Sequence, residues 1–256
     1  MVFVGAGDIA DCALTGAAST ARLLDTIGGT VFTLGDHAYF SGTTEAYRNC
    51  YDPTWGRHRS RTRPAPGNHD YDQPGAGPYF AYFGGNAGPP GRGYYSFSLG
   101  AWHALSINSN IAVGPGSAQE RWLRDELASS NAKCTVAYWH HARFSSGQHG
   151  DQGTMRQLWQ VLYDAGADVI LSAHDHLYER FAPQDPDGRP DPARGIRQFV
   201  VGTGGAALYQ FTTVRPNSEV RISTWGVLRL TLSAESYDWE FVPVSGARDG
   251  GTGQCH

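Results

Sequence analysis

Val31-Phe32-Thr33-Leu34-Gly35-Asp36-His37-Ala38-Tyr39 is a short apolar run that breaks on Gly-Asp. Four residues rich in β-branched and aromatic side chains, bounded by glycine, read as a buried strand. The glycine permits a tight bend, which carries the next carboxylate over the strand's end. The same grammar stands upstream, where Val2-Phe3-Val4-Gly5 leads into Gly7-Asp8-Ile9-Ala10. A helical stretch at residues 18–27 separates the two runs, so together they form a β-α-β unit.

Three more polar clusters follow strand-like runs. Gly67-Asn68-His69-Asp70 comes after residues 64–66, His140-His141 after the apolar run 135–139, and Ala173-His174-Asp175-His176 after 169–172. In α/β sheets the C-terminal ends of strands converge on one crevice, so clusters distant in sequence can surround one centre. Carboxylate, amide oxygen, imidazole and one phenol suit hard to borderline cations such as iron, zinc or manganese. Singly, each cluster has an ordinary explanation: an Asp after a strand is usually a turn residue, and Gly67-Asn68-His69-Asp70 could be an Asx turn. Five of them, all of ligand chemistry and all after strands, favour a binuclear metal site.

Residues 73–93, rich in Gly, Pro and Tyr, read as a long surface loop, with Tyr79, Phe80, Tyr82 and Phe83 available as aromatic walls of a substrate entrance. Residues 94–99 and 102–107 read as a strand pair turning at Gly100-Ala101. Residues 117–128 read as an amphipathic helix with Ser117 as its cap and Glu120 at capping-box distance. A helix at 154–165 follows. From Ile196 onward the pattern is strand-rich, at 198–201, 227–232 and 237–242, with a loop at 209–219. That suggests a second sheet packed on the first, with few helices of its own. With no linker or internal repeat in view, the expected organisation is a single domain, 1–256.

At 40% hydrophobic and 17% charged residues, with a formal net charge of −4, the chain reads as globular rather than disordered or polyanion-binding. No stretch approaches the roughly 20 apolar residues that span a bilayer. Strand-like residues begin directly after Met1, so no signal peptide is expected in this sequence. Cys12, Cys50, Cys134 and Cys255 have no CxxC spacing, which argues against a thiolate zinc site and leaves two disulfides or four free thiols. Cys12 and Cys50 each lie in a loop shortly after a metal-motif strand, so that pair is favoured, leaving Cys134 with Cys255. Disulfides imply a secreted or extracellular protein; free thiols would leave a cytoplasmic one open.

The order of the clusters resembles the calcineurin-like metallophosphoesterase superfamily, and Tyr39 within Gly35-Asp36-His37-Ala38-Tyr39 resembles its purple acid phosphatase branch. The likeness runs over residues 2–205, closing on Val200-Val201-Gly202-Thr203-Gly204-Gly205. It implies an α/β fold of four layers, α/β/β/α, around two packed mixed β-sheets. It implies one metal, ferric iron in that branch, on Asp8, Asp36, Tyr39 and His176. A second metal, Fe(II), Zn(II) or Mn(II), would sit on Asp36, Asn68, His140 and His174, with Asp36 bridging. His69 and His149, the latter within Ser145-Ser146-Gly147-Gln148-His149-Gly150, match histidines that contact the substrate phosphate or leaving group. Ala10, Asp70 and Ala173 depart from the family's usual Gly, Glu and Gly. The implied activity is hydrolysis of phosphate esters, monoesters first and diesters as the alternative. The implied substrate is a small molecule, with neither membrane nor nucleic acid as partner, and the implied state is a monomer.

Elementary chemistry agrees with that likeness. Two cations about 3.5–4 Å apart lower the pKa of a bridging water and clamp phosphoryl oxygens. A histidine near its free pKa can protonate the leaving alkoxide. His141 follows His140 on extended chain, so its side chain is expected to point the other way. His37 and Asp175 are candidates for orienting ligands, and His58, His103 and His256 read as packing or surface residues.

Three other readings compete. Gly5-Ala6-Gly7-Asp8-Ile9-Ala10 matches a dinucleotide fingerprint, which would make the chain an NAD-binding oxidoreductase, but residues 11–16 read as loop where that fingerprint opens a helix. Arg57, Arg59, Arg61 and Arg63 alternate ahead of Asn68 and could face an anionic substrate or nucleic acid; a charged edge strand that discourages pairing is favoured. A non-catalytic protein with the metals as a structural clip would have no need of His69 and His149.

Overall fold

The computed structural model describes residues 1–256. Strands β1 (Val2–Ala6) and β2 (Thr30–Leu34) run parallel, joined through α1 (Gly16–Thr26), and β3 (Thr62–Ala65) lies parallel beside β2. The short helix α2 (Thr44–Ala46) falls between β2 and β3, and α3 (Asn68–Tyr71) and α4 (Gly77–Phe83) fall between β3 and the next strand. A hairpin of β4 (Tyr95–Leu99) and β5 (Trp102–Ser106) follows, then α5 (Ala118–Ser129), β6 (Cys134–His141), α6 (Arg156–Asp164) and β7 (Val169–Ala173), with β5, β6 and β7 parallel. Next come β8 (Tyr178–Phe181), β9 (Arg197–Val201) and β10 (Ser218–Ile222), and the chain ends in an antiparallel meander of β11 (Gly226–Leu232), β12 (Ser236–Pro243) and β13 (Asp249–Gln254).

These strands make two mixed sheets, ordered β13-β12-β11-β1-β2-β3 and β10-β8-β9-β7-β6-β5-β4. Phe3 and Phe32 from the first sheet meet Tyr138 and Leu171 from the second in one core, with the Phe3 and Tyr138 rings 5.6 Å apart. Each fully buried side chain of this size contributes roughly 1.5–3 kcal/mol. On the far face of the second sheet, Ala137, Trp139, Ile170 and Val200 pack with Leu123 of α5 and Leu158 and Leu162 of α6. Helix α1 covers the first sheet through Ala17, Ala21 and Leu24. Four layers result, as the family resemblance implies.

Several local expectations are met. Ser117 caps α5 by accepting from the Glu120 amide at 3.1 Å, although the Glu120 carboxylate takes the Gly116 amide rather than closing a capping box. Cys12 pairs with Cys50 and Cys134 with Cys255, the latter tying β6 to the end of β13 across 121 residues. A loop of that length restricts the unfolded chain strongly. Replacing Cys134 and Cys255 by serine is therefore expected to cost about 2–4 kcal/mol in urea unfolding.

Three expectations need correction. The C-terminal strands do not build a separate sheet: β9 and β10 complete the sheet of β4–β7, while β11 pairs antiparallel with β1, Leu230 opposite Phe3. Alternation reveals a strand but not its partner, and β1 had a free edge. Residues 73–93 are not one long loop but carry α4; of its four aromatics Phe80 and Tyr82 are part-exposed, while Tyr79 and Phe83 are buried against Tyr47, Tyr51 and His37. Their i, i+4 spacing was masked by the surrounding Gly and Pro. Of the arginine run only Arg63 lies on an edge strand, β3; Arg57, Arg59 and Arg61 lie on a 3₁₀ helix, Trp55–Arg61, that leads into it. Arg57 forms a two-pronged pair with Asp25, Arg61 donates to the carbonyls of Leu24 and Gly29, and Arg59 lies over the Tyr82 ring. After Asp8 no helix opens until Gly16, which is not how a dinucleotide fingerprint continues.

Candidate metal centre

The five clusters arrive at one place. Asp8 follows β1, Asp36 follows β2, Asn68 opens α3 after β3, His140 is the penultimate residue of β6, and His174 and His176 follow β7. Asp8, Asp36 and His174 take left-handed backbone conformations, with φ of 56°, 52° and 72°. Such bends cost of order 1–3 kcal/mol each and persist where the surroundings fix them. Here they do: the His174 amide donates to Asp8 Oδ2 at 2.9 Å, and the His69 amide to Asp36 Oδ1 at 2.8 Å. Glycine is required at position 67 for a separate reason. A Cβ there would lie 2.1 Å from Asp36 Oδ1.

Asp70 locks the Asp36 bend from beneath. Its buried carboxylate accepts from the amides of Gly67, Asp36 and His37, from His37 Nδ1 at 2.9 Å and from the Tyr47 hydroxyl at 2.7 Å. Burial pushes its pKa up, but His37 and these donors outweigh it and hold the carboxyl below its ordinary value.

Around Asp8 and Asp36 the candidate ligands fall into two groups. The Tyr39 hydroxyl lies 2.9 Å from Asp8 Oδ1, 3.3 Å from Asp36 Oδ2 and 3.0 Å from His176 Nε2. His140 Nε2 lies 3.0 Å from Asn68 Oδ1, 3.1 Å from His174 Nδ1 and 3.3 Å from Asp36 Oδ2. Asp36 belongs to both groups.

The imidazole orientations show what these groups are built to hold. His140 Nδ1 is 2.6 Å from the Leu34 carbonyl and His176 Nδ1 is 2.6 Å from the Ala207 carbonyl. A carbonyl only accepts, so each Nδ1 carries a hydrogen and each neutral ring aims a bare Nε2 lone pair into a cluster of oxygen acceptors. Either protons or cations must fill such a space. For the chain alone, burial pushes the His140 pKa down, yet the Asp36 carboxylate, with Asp8 and the Leu34 carbonyl, more than offsets this and lifts it to about 9. Burial pulls Asp8 up, but His176, His140 and His174 together hold it well below the usual carboxylate range. Burial, Asp8 and Asp36 all push the Tyr39 phenol well above its ordinary pKa, so only a nearby cation would make it a phenolate. The donor set, two carboxylates, an amide oxygen, a phenol and three imidazoles, fits two borderline-to-hard cations.

All nine residues singled out from the sequence gather here. His69 is part-exposed, with its ring centroid 4.9 Å from that of Tyr39 and Nε2 3.9 Å from Asp36 Oδ2. His149, exposed, stacks on His174 with centroids 4.0 Å apart. Asp175 accepts the His149 amide, and His37 contacts Asp70, which also accepts from the Asp36 amide. His58, His103 and His256 sit away from it on Asp25, Glu126 and Asp168.

His141 departs from expectation. A register shift between Tyr138 and His141 breaks the alternation of β6, and the His141 ring comes within 4.5 Å of His174 instead of pointing away. Burial and the neighbouring His140 push its pKa down to about 3, and Ser109 Oγ holds its Nδ1 at 2.8 Å. Tyr209 escaped notice altogether. Its ring lies flat on His176, 4.0 Å away at 9°, and the only hint in the sequence was a lone aromatic soon after Val200-Val201-Gly202-Thr203-Gly204-Gly205.

Known proteins resemble this chain in sequence and in fold. Purple acid phosphatase 15 of Arabidopsis thaliana is 30% identical over 132 residues, covering 49% of this chain and 24% of the relative. Purple acid phosphatase 21 of the same plant is 32% identical over 149 residues, covering 54% and 34%. The chain thus spans about a quarter to a third of the length of these plant relatives. The fold superposes on purple acid phosphatase PPD1 from yellow lupin (Lupinus luteus) seeds with a TM-score of 0.82 at 18% identity, covering 98% of this chain and 53% of the other. A family model described as calcineurin-like phosphoesterase matches residues 1–178, which take in every candidate ligand and both flanking histidines. The chain therefore belongs to the calcineurin-like phosphoesterase family, with its sequence relatives in the purple acid phosphatase branch.

Proposed function

We propose that residues 1–256 form one catalytic domain that hydrolyses phosphate monoesters on a binuclear metal centre. Asp8, Asp36, Tyr39 and His176 hold one ion, and Asp36, Asn68, His140 and His174 hold the other. The observation that carries this reading is the pair of imidazoles, His140 and His176, whose backbone-bound Nδ1 atoms turn their Nε2 lone pairs onto carboxylate, amide and phenol oxygens. The phenol of Tyr39 suits ferric iron, and the second group suits Fe(II), Zn(II) or Mn(II). When bound, two such cations supply hydroxide near neutral pH and polarise the phosphoryl oxygens.

The chain's own residues do the rest. Asp36 lies between the two groups, and its remaining oxygen is pinned by the His69 amide. His69, part-exposed beside Tyr39, contacts a phosphoryl oxygen. His149, held against His174 on the solvent side, donates a proton to the leaving oxygen. No side-chain nucleophile is needed, and both cysteine pairs are oxidised. Two disulfides support a secreted or extracellular setting. No helix is long and apolar enough to cross a membrane.

The test is hydrolysis of 4-nitrophenyl phosphate against bis(4-nitrophenyl) phosphate by protein carrying two ions per chain. Faster turnover of the monoester is expected. Faster turnover of the diester overturns the monoester preference, and no turnover of either overturns the catalytic reading. His149→Ala is expected to slow hydrolysis of an alkyl phosphate by about 10²–10⁴-fold with metal content unchanged. Metal loss in that variant would mean that His149 is a ligand instead.

A further inference from the structure

Ser145-Ser146-Gly147-Gln148-His149-Gly150 carries an exposed histidine on a loop, yet the loop's base is unusually well held. Two buried carboxylates lie under it. Asp175, next to the candidate ligands, accepts from Ser145 Oγ at 2.5 Å and from the His149 amide at 2.9 Å. The Gly147 amide closes the turn onto Ser145 Oγ at 3.0 Å, and a Cβ on Gly147 would strike Asp175 Cγ at 2.2 Å. Glu179, on β8, is fully buried and makes no direct salt bridge; Arg221, opposite it on β10, reaches it only through the Ser218 hydroxyl. Its Oε2 accepts from the Ser146 amide at 2.8 Å, and its Oε1 from the hydroxyls of Ser146 and Ser218, each at 2.5 Å.

A buried carboxylate without a direct cationic partner is costly unless several donors satisfy it. Replacement by an apolar residue would serve the core as well if stability were the only demand. The donors that Glu179 gathers come from two different segments, the histidine loop and the start of β10. The segment before β10 then closes over the loop: Thr212 Oγ1 donates to the carbonyls of Ser146 and Gly147, and the Arg215 amide donates to Ser146 Oγ at 2.9 Å. The same segment carries Tyr209, whose ring lies 5.6 Å from that of His149.

We infer that Glu179 is a positioning residue for hydrolysis: through Ser146 and Ser218 it fixes the loop that presents His149, with Asp175 holding the loop's other side. This rests on the reading of His149 as proton donor. A side chain placed to protonate a leaving oxygen must be held within a fraction of an ångström, and buried partners of the reacting group are what hold it.

The experiment compares an alkyl phosphate, whose alkoxide must be protonated on leaving, with 4-nitrophenyl phosphate, whose phenolate leaves without a proton. Glu179→Ala is expected to lower kcat on the alkyl phosphate about 10–100-fold, to change it little on 4-nitrophenyl phosphate, and to retain its metal. The double variant His149→Ala/Glu179→Ala should lose no more than His149→Ala alone, because both act on one step. Glu179→Gln keeps the acceptor for the Ser146 amide and should recover most of the rate. If Glu179→Ala does not fold, Ser218→Ala removes one hydroxyl from the same carboxylate and must show the same substrate split. A split present in His149→Ala but absent from the Glu179 and Ser218 variants, or an additive loss in the double variant, overturns the inference. No split in His149→Ala itself overturns the proton-donor reading instead.

Discussion

Asp36→Ala lowers phosphate ester hydrolysis by more than about 100-fold, beyond what loss of an outer partner of a metal ligand costs, and leaves the protein short of both metals. Asp36 is the one side chain shared by the two ligand groups, with Oδ2 3.3 Å from Tyr39 Oη and 3.3 Å from His140 Nε2. Its loss also strips the main charge among those that lift His140 to about 9. Asp36→Asn separates charge from shape: the amide oxygen can still accept from the His69 amide, so the bend survives while the negative charge goes. Equal losses of metal and turnover in both variants, with unchanged far-ultraviolet circular dichroism, are the expected result. An asparagine variant with full metal content would remove Asp36 from its bridging position.

Asp70→Ala is expected to carry the largest cost in stability, about 3–5 kcal/mol, because it breaks a fully buried pair and strands the donors around it. The His37 ring, the Tyr47 hydroxyl and the amides of Gly67, Asp36 and His37 all lose their acceptor at once. Since the folded-state pKa of Asp70 lies below the unfolded value, its contribution is fully present above about pH 4 and fades as pH falls through the folded pKa. Urea unfolding of wild type and variant should therefore differ most near neutral pH and converge in acid. A gap that stays constant down to low pH would show that packing, not the carboxylate, is what the substitution removed.

Much of the site was legible because its information is local. Gly7-Asp8, Gly35-Asp36 and Gly67-Asn68 each pair a residue that permits a bend with a ligand that the bend delivers, and each ends a strand whose apolar run is plain. Non-local pairing was not legible: nothing in residues 226–254 reveals that β11 adds to β1 and not to its sequence neighbours β9 and β10. His141 defeated the alternation rule because a bulge leaves no mark on a short apolar run. Tyr79 and Phe83 were hidden among Gly and Pro, and the part they play, packing on the far side of His37, is a matter of what lies opposite them. Glu179 and Asp70 were invisible as partners, since all their donors but the Gly67 amide come from segments more than twenty residues away.

The central claim is that seven side chains hold two metal ions with Asp36 between them. Elemental analysis of the freshly purified protein, with its visible spectrum, tests this most directly. The account predicts two ions per chain in wild type, a loss of both in Asp36→Asn, and, in iron-loaded protein, a tyrosinate-to-iron absorption band that Tyr39→Phe abolishes. A chain that hydrolyses phosphate esters at full rate with one ion or none, or an iron band that survives Tyr39→Phe, would contradict it.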